Sequence, residues 1–228
     1  IDAAYKAVIL SQFGFGATID FDDVTHKGIT NISTDDVAVA QELGYVIKLV
    51  GDVREVESGI SAEVSPTFLP KNHPLASVND VMNAVFVESI GIGESMYYGP
   101  GAGQKPTATS VLADIIRIAR RLSDGNVGKP FNEFRRDLPL ANPADVKSNY
   151  YFALDTPDEK GKILHLSEIF NSEDISFEQV LQQKANGTTA RIVVITHAMS
   201  KTQLQAVTEK LEAAEDFTVV NTLKVLSN

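Results

Sequence analysis

An aspartate and a lysine four positions apart, near the start of the sequence, are the first candidates for chemistry. They are Asp2 and Lys6, and a helix would place their side chains on one face, within reach of a shared ligand. The same spacing is typical of a surface ion pair, so the pair alone leaves both interpretations open.

A glycine-rich run is the second candidate. It spans Tyr98-Gly-Pro-Gly-Ala-Gly103, and glycines permit positive φ angles and let a backbone approach a ligand closely. The run lacks the βαβ context and the spacing of a dinucleotide-binding fingerprint. A structural turn and a ligand-contacting loop are both compatible with this pattern.

Metal chemistry is not predicted. Asp20, Asp22 and Asp23 lack the glycine-containing spacing of an EF-hand loop and indicate a solvated acidic turn. The four histidines are dispersed along the chain, and cysteine is absent, which excludes thiolate metal sites and disulfides.

Composition narrows the classes of function. With 20 basic and 30 acidic side chains the formal charge is −10, which disfavours a nucleic-acid partner because it repels phosphate backbones. No apolar run approaches the roughly 20 residues that span a bilayer, so no membrane role is expected. The lack of cysteine makes the cytoplasm the simplest compartment. A chain of 228 residues can hold two domains.

Apolar spacing predicts the elements that carry these candidates. A first helix over Ala3 to Phe13, with Asp2 as its N-cap, is followed by a second over Thr34 to Leu43. Three stretches rich in β-branched residues predict an antiparallel sheet: Tyr45 to Val53, Ser58 to Phe68 and Asn83 to Met96. An amphipathic helix from about Pro106 to Leu122 then needs a partner surface. Residues 123–148, interrupted by glycines and prolines, are interpreted as a linker.

The remaining residues, 149–228, predict a separate domain. The elements are a strand (Tyr150 to Leu154), a helix (about Lys160 to Phe170), two strands (Ser176 to Lys184 and Ala190 to His197), a helix (Lys201 to Ala214) and a strand (Phe217 to Val225). This βαββαβ order is that of a ferredoxin-like plait. The predicted fold class is therefore α+β, with an antiparallel-sheet domain over residues 1–122, a linker, and the plait.

The order and spacing of several short motifs resemble the homoserine dehydrogenase family over residues 1 to about 122. They are Asp2-Ala-Ala-Tyr-Lys6, Lys27-Gly-Ile29, Leu43-Gly-Tyr45, Val64-Ser-Pro66, His73-Pro-Leu-Ala76, Asn83-Ala-Val-Phe-Val87 and Tyr98-Gly-Pro-Gly-Ala-Gly103. Further along, Tyr150-Tyr151, Asp158, Gly161 and Val193-Val-Ile-Thr-His197 resemble the ACT domain that many members carry. Each motif is weak alone, and the combination is specific.

The resemblance implies an enzyme that interconverts L-homoserine and L-aspartate 4-semialdehyde with NAD(P), in the biosynthesis of threonine, methionine and isoleucine. It implies that Lys6 exchanges the proton of the substrate hydroxyl and that Asp2 helps to position substrate or water. A lysine that is desolvated in a closed site has a lowered pKa and can accept such a proton. It also implies that Gly101, Ala102 and Gly103 approach the ribose and nicotinamide end of the cofactor. Most of the cofactor would be bound by an N-terminal nucleotide-binding domain, which this sequence lacks.

The ACT resemblance implies an amino-acid effector, threonine by analogy, bound at the turn that holds Asp158 and Gly161. In this turn Lys160 replaces the usual proline. We also expect a homodimer or larger assembly, because the apolar face of the 106–122 helix would otherwise be exposed or repacked.

The sequence begins at Ile1, and we expect the chain to be the carboxy-terminal part of such an enzyme and to be inactive alone. The alternative is that the chain acts without catalysis, as an amino-acid-binding or oligomerisation module. The Asp2 and Lys6 pair and the glycine run favour the enzyme, whereas the start at Ile1 and the expected lack of the nucleotide-binding domain favour the module.

Overall fold

A computed structural model of the chain describes residues 1–126, 128, 134–183 and 188–226. It divides into two compact units. The large unit comprises Ile1–Pro70 and Phe134–Asn228, and the small unit comprises Lys71–Glu133. Two residues of predicted elements lie outside the described residues. They are Pro130, in the predicted linker, and Lys184, the last residue of one predicted strand.

The large unit begins with two helices and three strands. They are α1 (Asp2–Phe15), β1 (Thr25–His26), α2 (Thr34–Glu42), β2 (Tyr45–Val56) and β3 (Gly59–Pro70). Helix α1 starts at Asp2 itself, which is therefore not the N-cap predicted, and continues through Gly14. It stops at Gly16, whose φ of 70° is the left-handed conformation that ends many helices.

The small unit contains β4 (Met82–Ser89), β5 (Gly93–Pro100) and α3 (Gln104–Ser123). The single strand predicted over Asn83 to Met96 is therefore wrong, because the chain turns between β4 and β5 and the two strands pair antiparallel. The first two predicted strands do pair antiparallel, as β2 and β3. The predicted three-stranded sheet is nevertheless wrong, because β4 and β5 form a two-stranded sheet of their own. Helix α3 is confirmed and extends the predicted span by two residues at its start and one at its end.

The chain then returns to the large unit with β6 (Lys147–Pro157), α4 (Lys162–Asn171), β7 (Phe177–Gln182), β8 (Thr189–Thr196), β9 (Met199–Ser200), α5 (Lys201–Ala213) and β10 (Thr218–Val225). Apart from the two-residue β9, this is the predicted βαββαβ order. The four long strands lie in the order β10, β6, β8, β7, and each neighbouring pair is antiparallel. The ferredoxin-like plait, here residues 147–225, is confirmed.

The plait and the first part of the chain share one sheet. Strand β10 pairs parallel with β3, placing Lys224 beside Thr67 and Val225 beside Phe68, and β2 pairs with β3 along its whole length. Residues 1–122 and the plait were predicted to form separate domains with a sheet each. That prediction is wrong, because β10 pairs with β6 on one side and with β3 on the other. The α+β class itself is confirmed.

Part of the predicted linker also belongs to the large unit. The amide of Ile60 donates to the carbonyl of Pro139 at 2.9 Å, and the amide of Arg136 donates to the carbonyl of Gly16 at 3.0 Å. Glu55 and Arg136 form a bidentate ion pair, with both N···O distances 2.6 Å. Residues 134–148 therefore pack along the start of β3 and against the end of α1.

Three apolar clusters fill the large unit. The first lies between the plait strands and helices α4 and α5, and includes Phe152, Leu166 and Phe170. The second lies on the opposite face of the sheet, beneath α2. The third joins α1 to β3 through Ala4, Ala7, Ala62 and Val64, among others, and so fixes the helix that carries Asp2 and Lys6.

Candidate functional site

Helix α1 brings the first two candidate residues together. The Lys6 Nζ lies 2.8 Å from the Asp2 Oδ2, one helical turn away. The helix buries a narrow stripe of small side chains, Ala4, Ala7 and Ser11, and the Ser11 hydroxyl donates to the carbonyl of Ala7 at 2.8 Å. Because that stripe faces the sheet, the ion pair lies at the solvent side of a rigidly seated helix.

Solvent reaches both members of the pair. The side chains of Asp2 and Lys6 are 85% and 54% exposed, and the hydrogen bond from Lys6 lowers the pKa of the Asp2 carboxyl. The desolvated lysine that the sequence argument invoked is therefore not produced by the described residues of this chain. What the geometry supplies is a lysine Nζ held beside a carboxylate, open to a ligand from outside.

The glycine run is a loop between a strand and a helix in the small unit. The amide of Gly101 donates to the carbonyl of Val81 at 3.0 Å. A β-carbon on Gly101 would clash with the side-chain amide of Asn83. Gly103 has a φ of 122° and directly precedes α3. Gly103 therefore favours glycine for its backbone conformation, whereas a side chain at Gly101 would have to displace the exposed side chain of Asn83.

This loop fits the backbone contact expected for a nicotinamide cofactor. Gly101, Ala102 and Gly103 are all exposed, and only one of them carries a side chain. The loop leads into the N-terminus of a 20-residue helix, where the partial positive charge favours anionic and polar ligand groups. The Asp2 and Lys6 pair belongs to the large unit and the loop to the small one.

The candidate effector residues lie where β6 leads into α4. The amide of Asp158 donates to the carbonyl of Thr188 at 2.9 Å, and Gly161, with a φ of 92°, forms the N-cap of α4. Replacement of the usual proline by Lys160 has therefore not removed the glycine turn. Asp158 also lines an open groove of about 590 Å³ together with Glu159, Glu215 and Asp216, among others.

A buried cluster of charged residues was missed by the sequence analysis. The carboxylate of Glu63 on β3 pairs with Lys224 on β10 and with Lys201 at the start of α5. The available signal was Glu63 itself, a charged residue within an otherwise apolar and small-residue strand, since a buried charge is usually paired. Its partners are too distant in sequence for spacing to indicate them.

Within residues 1–126, 128, 134–183 and 188–226, no group of three or more histidine, aspartate or glutamate side chains is arranged to hold a metal ion. None of the helices described has the length and apolar character needed to cross a bilayer.

Several known proteins are similar to this chain. The sequence model of the homoserine dehydrogenase family matches residues 1–116. The homoserine dehydrogenase of Lactococcus lactis is 58% identical over the whole chain, which covers 53% of that protein. The Corynebacterium glutamicum enzyme is 37% identical over 97% of the chain and 51% of its own length. The chain thus spans about half the length of the curated relatives it matches.

Solved structures agree with these matches. The crystal structure of a homoserine dehydrogenase from Thiobacillus denitrificans superimposes with a TM-score of 0.90 at 32% identity, covering 99% of this chain and 53% of that one. A homoserine dehydrogenase from S. aureus, at pH 6.5, gives a TM-score of 0.70 at 27% identity, covering 100% and 53% of the two chains.

Proposed function

Because the chain belongs to the homoserine dehydrogenase family, we propose that it is the substrate-binding and regulatory part of an enzyme that interconverts L-homoserine and L-aspartate 4-semialdehyde. In this proposal residues 1–122 form the substrate domain and residues 149–228 an ACT regulatory domain. The observation that carries it is the Asp2 and Lys6 pair on α1, within the stretch that the family model matches. The reaction belongs to threonine, methionine and isoleucine biosynthesis.

Lys6 exchanges the proton of the substrate hydroxyl. In the direction of oxidation, the neutral Lys6 amine accepts the proton of the homoserine hydroxyl as the carbon that bears it loses a hydride. Asp2, one turn away at 2.8 Å, orients the amine and positions substrate or water. In the reverse direction the Lys6 ammonium returns the proton to the carbonyl oxygen of the semialdehyde.

NAD(P), when bound, accepts or supplies the hydride. Gly101, Ala102 and Gly103 would contact its ribose and nicotinamide end through their backbone. The lysine needs a covered site to exchange a proton near neutral pH, and its 54% exposure here means that substrate, cofactor or other protein segments must provide that cover. Most of the cofactor would be held by a nucleotide-binding domain of the full-length enzyme.

Replacement of Lys6 in the full-length enzyme tests the assignment. Lys6→Ala should lower turnover by about 10²–10⁴-fold, as expected on loss of a general acid or base. Lys6→Arg should be similarly impaired, because a guanidinium keeps the charge and the ion pair but does not release its proton. Cofactor binding and folding should persist in both variants.

Lys210 offers a matched control. Its side chain is 42% exposed and pairs with Glu173 at 2.5 Å, so Lys210→Ala also removes a partly exposed, paired lysine, and turnover should not change. Turnover of Lys6→Ala within about threefold of the parent would reject the catalytic role and leave the pair as a surface ion pair.

The plait supports a second role, as the receptor for an amino-acid effector. The exposed turn at Asp158 and Gly161 would bind threonine, and millimolar threonine should then raise the melting temperature, since a ligand of the folded state stabilises it. If threonine neither raises the melting temperature nor releases heat in calorimetry, the plait has only a structural role. If Lys6 also proved dispensable, the non-catalytic binding or oligomerisation module would become the better account.

The apolar face of α3 supports self-association. None of its residues is buried, and large exposed apolar patches commonly mark interfaces. We expect a homodimer or larger assembly, which sedimentation at micromolar concentration would detect.

A further inference from the structure

We propose that Glu63 is a positioning residue for Lys6, and that through Glu63 the plait is mechanically tied to the helix that carries the candidate catalytic pair. The inference rests on the proposed role of Lys6. It comes from what lies on the two faces of a single strand, β3.

On one face of β3, Glu63 is held by residues of the plait. Its carboxylate pairs with Lys224 of β10 and, at 2.7 Å, with Lys201 of α5. Lys224 also pairs with Asp52 of β2. The side chains of Glu63 and Lys224 are 10% and 5% exposed, so these contacts are shielded from solvent and stronger than surface pairs.

The carboxylate stays charged in this setting. Burial by itself would raise the pKa of Glu63, but the adjacent ammonium groups of Lys224 and Lys201 outweigh it and lower the pKa to about 2. A charged, buried group that lost these partners would be strongly disfavoured. The position of β3 at Glu63 is therefore coupled to the positions of β10 and of the start of α5.

On the other face of β3, the neighbours of Glu63 carry α1. Successive side chains of a strand point to opposite faces, and Ala62 and Val64 pack in the cluster that contains Ala4 and Ala7 of α1. Ala7 directly follows Lys6, and Ala4 lies between Asp2 and Lys6. A shift of β3 at Glu63 would therefore also move Ala62 and Val64, against which the helix that carries Asp2 and Lys6 packs.

Small displacements of this kind matter to chemistry, because a misplacement of about 1 Å can cost a reaction up to about 10²-fold. Both lysines that pair with Glu63 belong to the plait. Glu63 therefore links the plait to the strand on which α1 packs.

The test is a double-mutant cycle in the full-length enzyme, with Glu63→Gln, Lys6→Ala and the two combined. Glu63→Gln keeps the size of the side chain and removes its charge. It should lower kcat about tenfold with the KM for the cofactor within about twofold of the parent. In the Lys6→Ala background it should have almost no further effect, because a residue that acts through Lys6 has nothing left to position.

Two more variants separate positioning from loss of fold. Asp155→Asn breaks another partly buried pair of the plait, with Arg191 at 2.8 Å, away from β3, and kcat should stay within about twofold of the parent. Lys201→Met removes a more exposed partner of Glu63, 25% exposed, and should lower kcat in the same direction as Glu63→Gln by a smaller factor. It serves as the readout if Glu63→Gln does not fold.

Each outcome decides a different question. Equal losses from Glu63→Gln with and without Lys6, or an unchanged kcat in both Glu63→Gln and Lys201→Met, would overturn the positioning role alone. If Lys6→Ala has no effect, the proposed function fails first and the inference with it.

Discussion

The large and small units use apolar side chains in opposite ways. The large unit buries them in three clusters. In the small unit no described residue is buried, although α3 carries an apolar stripe whose members are 55 to 58% exposed: Val111, Leu112, Ile115, Ile118 and Leu122. Helical spacing therefore indicates which face of a helix is apolar, but it does not indicate what covers that face.

The largest effect expected from this contrast is a pair of leucine substitutions. Leu166 of α4 is fully buried and Leu112 of α3 is 57% exposed. Leu166→Ala should lower the free energy of unfolding of the monomeric chain by about 2–5 kcal/mol, and Leu112→Ala should change it by less than about 0.5 kcal/mol at concentrations too low for self-association. Urea titration of both variants measures this, and equal losses would contradict the contrast.

A second prediction concerns pH and the charged interior of the large unit. Burial by itself would raise the pKa of Glu63, but Lys224 and Lys201 together lower it from 4.5 to about 2. The resulting stabilisation, about 3 kcal/mol, is fully present above pH 4.5 and is lost as the pH falls toward 2. The stability difference between the parent and Glu63→Gln should therefore shrink over this interval. A difference that is constant between pH 6 and pH 2 would contradict the assignment.

The smallest effect is expected in the glycine loop of the small unit. Gly101→Ala forces the amide of Asn83 aside, whereas a β-carbon at Gly99 meets no atom within 4 Å. In the full-length enzyme Gly101→Ala should raise the KM for the nicotinamide cofactor roughly three- to tenfold, about 1 kcal/mol. Gly99→Ala, the matched control, should leave it unchanged. Identical values for the two variants would argue against cofactor contact at this loop.

Local patterns predicted the plait well because each of its elements has strong signals of its own. Helix α5 begins at a capping box formed by Ser200 and Gln203, and β8 is a run of β-branched residues that is buried along most of its length. These signals act within a few residues, so the order of elements and their approximate bounds follow from the sequence.

Two features of the fold were not accessible to such patterns. Ile90 and Ile92 continue the apolar alternation across the turn between β4 and β5, where they are the most exposed isoleucines of the described chain, and this concealed the hairpin. The pairing of β10 with β3 involves only two positions on each strand. Spacing along the chain carries no information about so distant a partner.

The candidate site divides in the same way. The Asp2 and Lys6 pair was predicted because four residues along a helix form a local geometry, and the structure places the two side chains in contact. The packing of α1 on β3 and the pairing of Glu63 with Lys201 and Lys224 instead join residues that are far apart in the sequence. Whether Gly101 and Gly161 serve ligands stays a prediction.

The position of β10 has a consequence for how the protein is made. It follows every other described strand in the chain, yet it lies inside the sheet, between β3 and β6, and its Lys224 is 161 positions from Glu63. During synthesis both neighbouring strands therefore present an unpaired edge until the last strand emerges, and such edges pair readily with other chains. Closure across so long a separation is also slow. Aggregation of the nascent protein is consequently most to be expected in that interval, when a chaperone would be of greatest use.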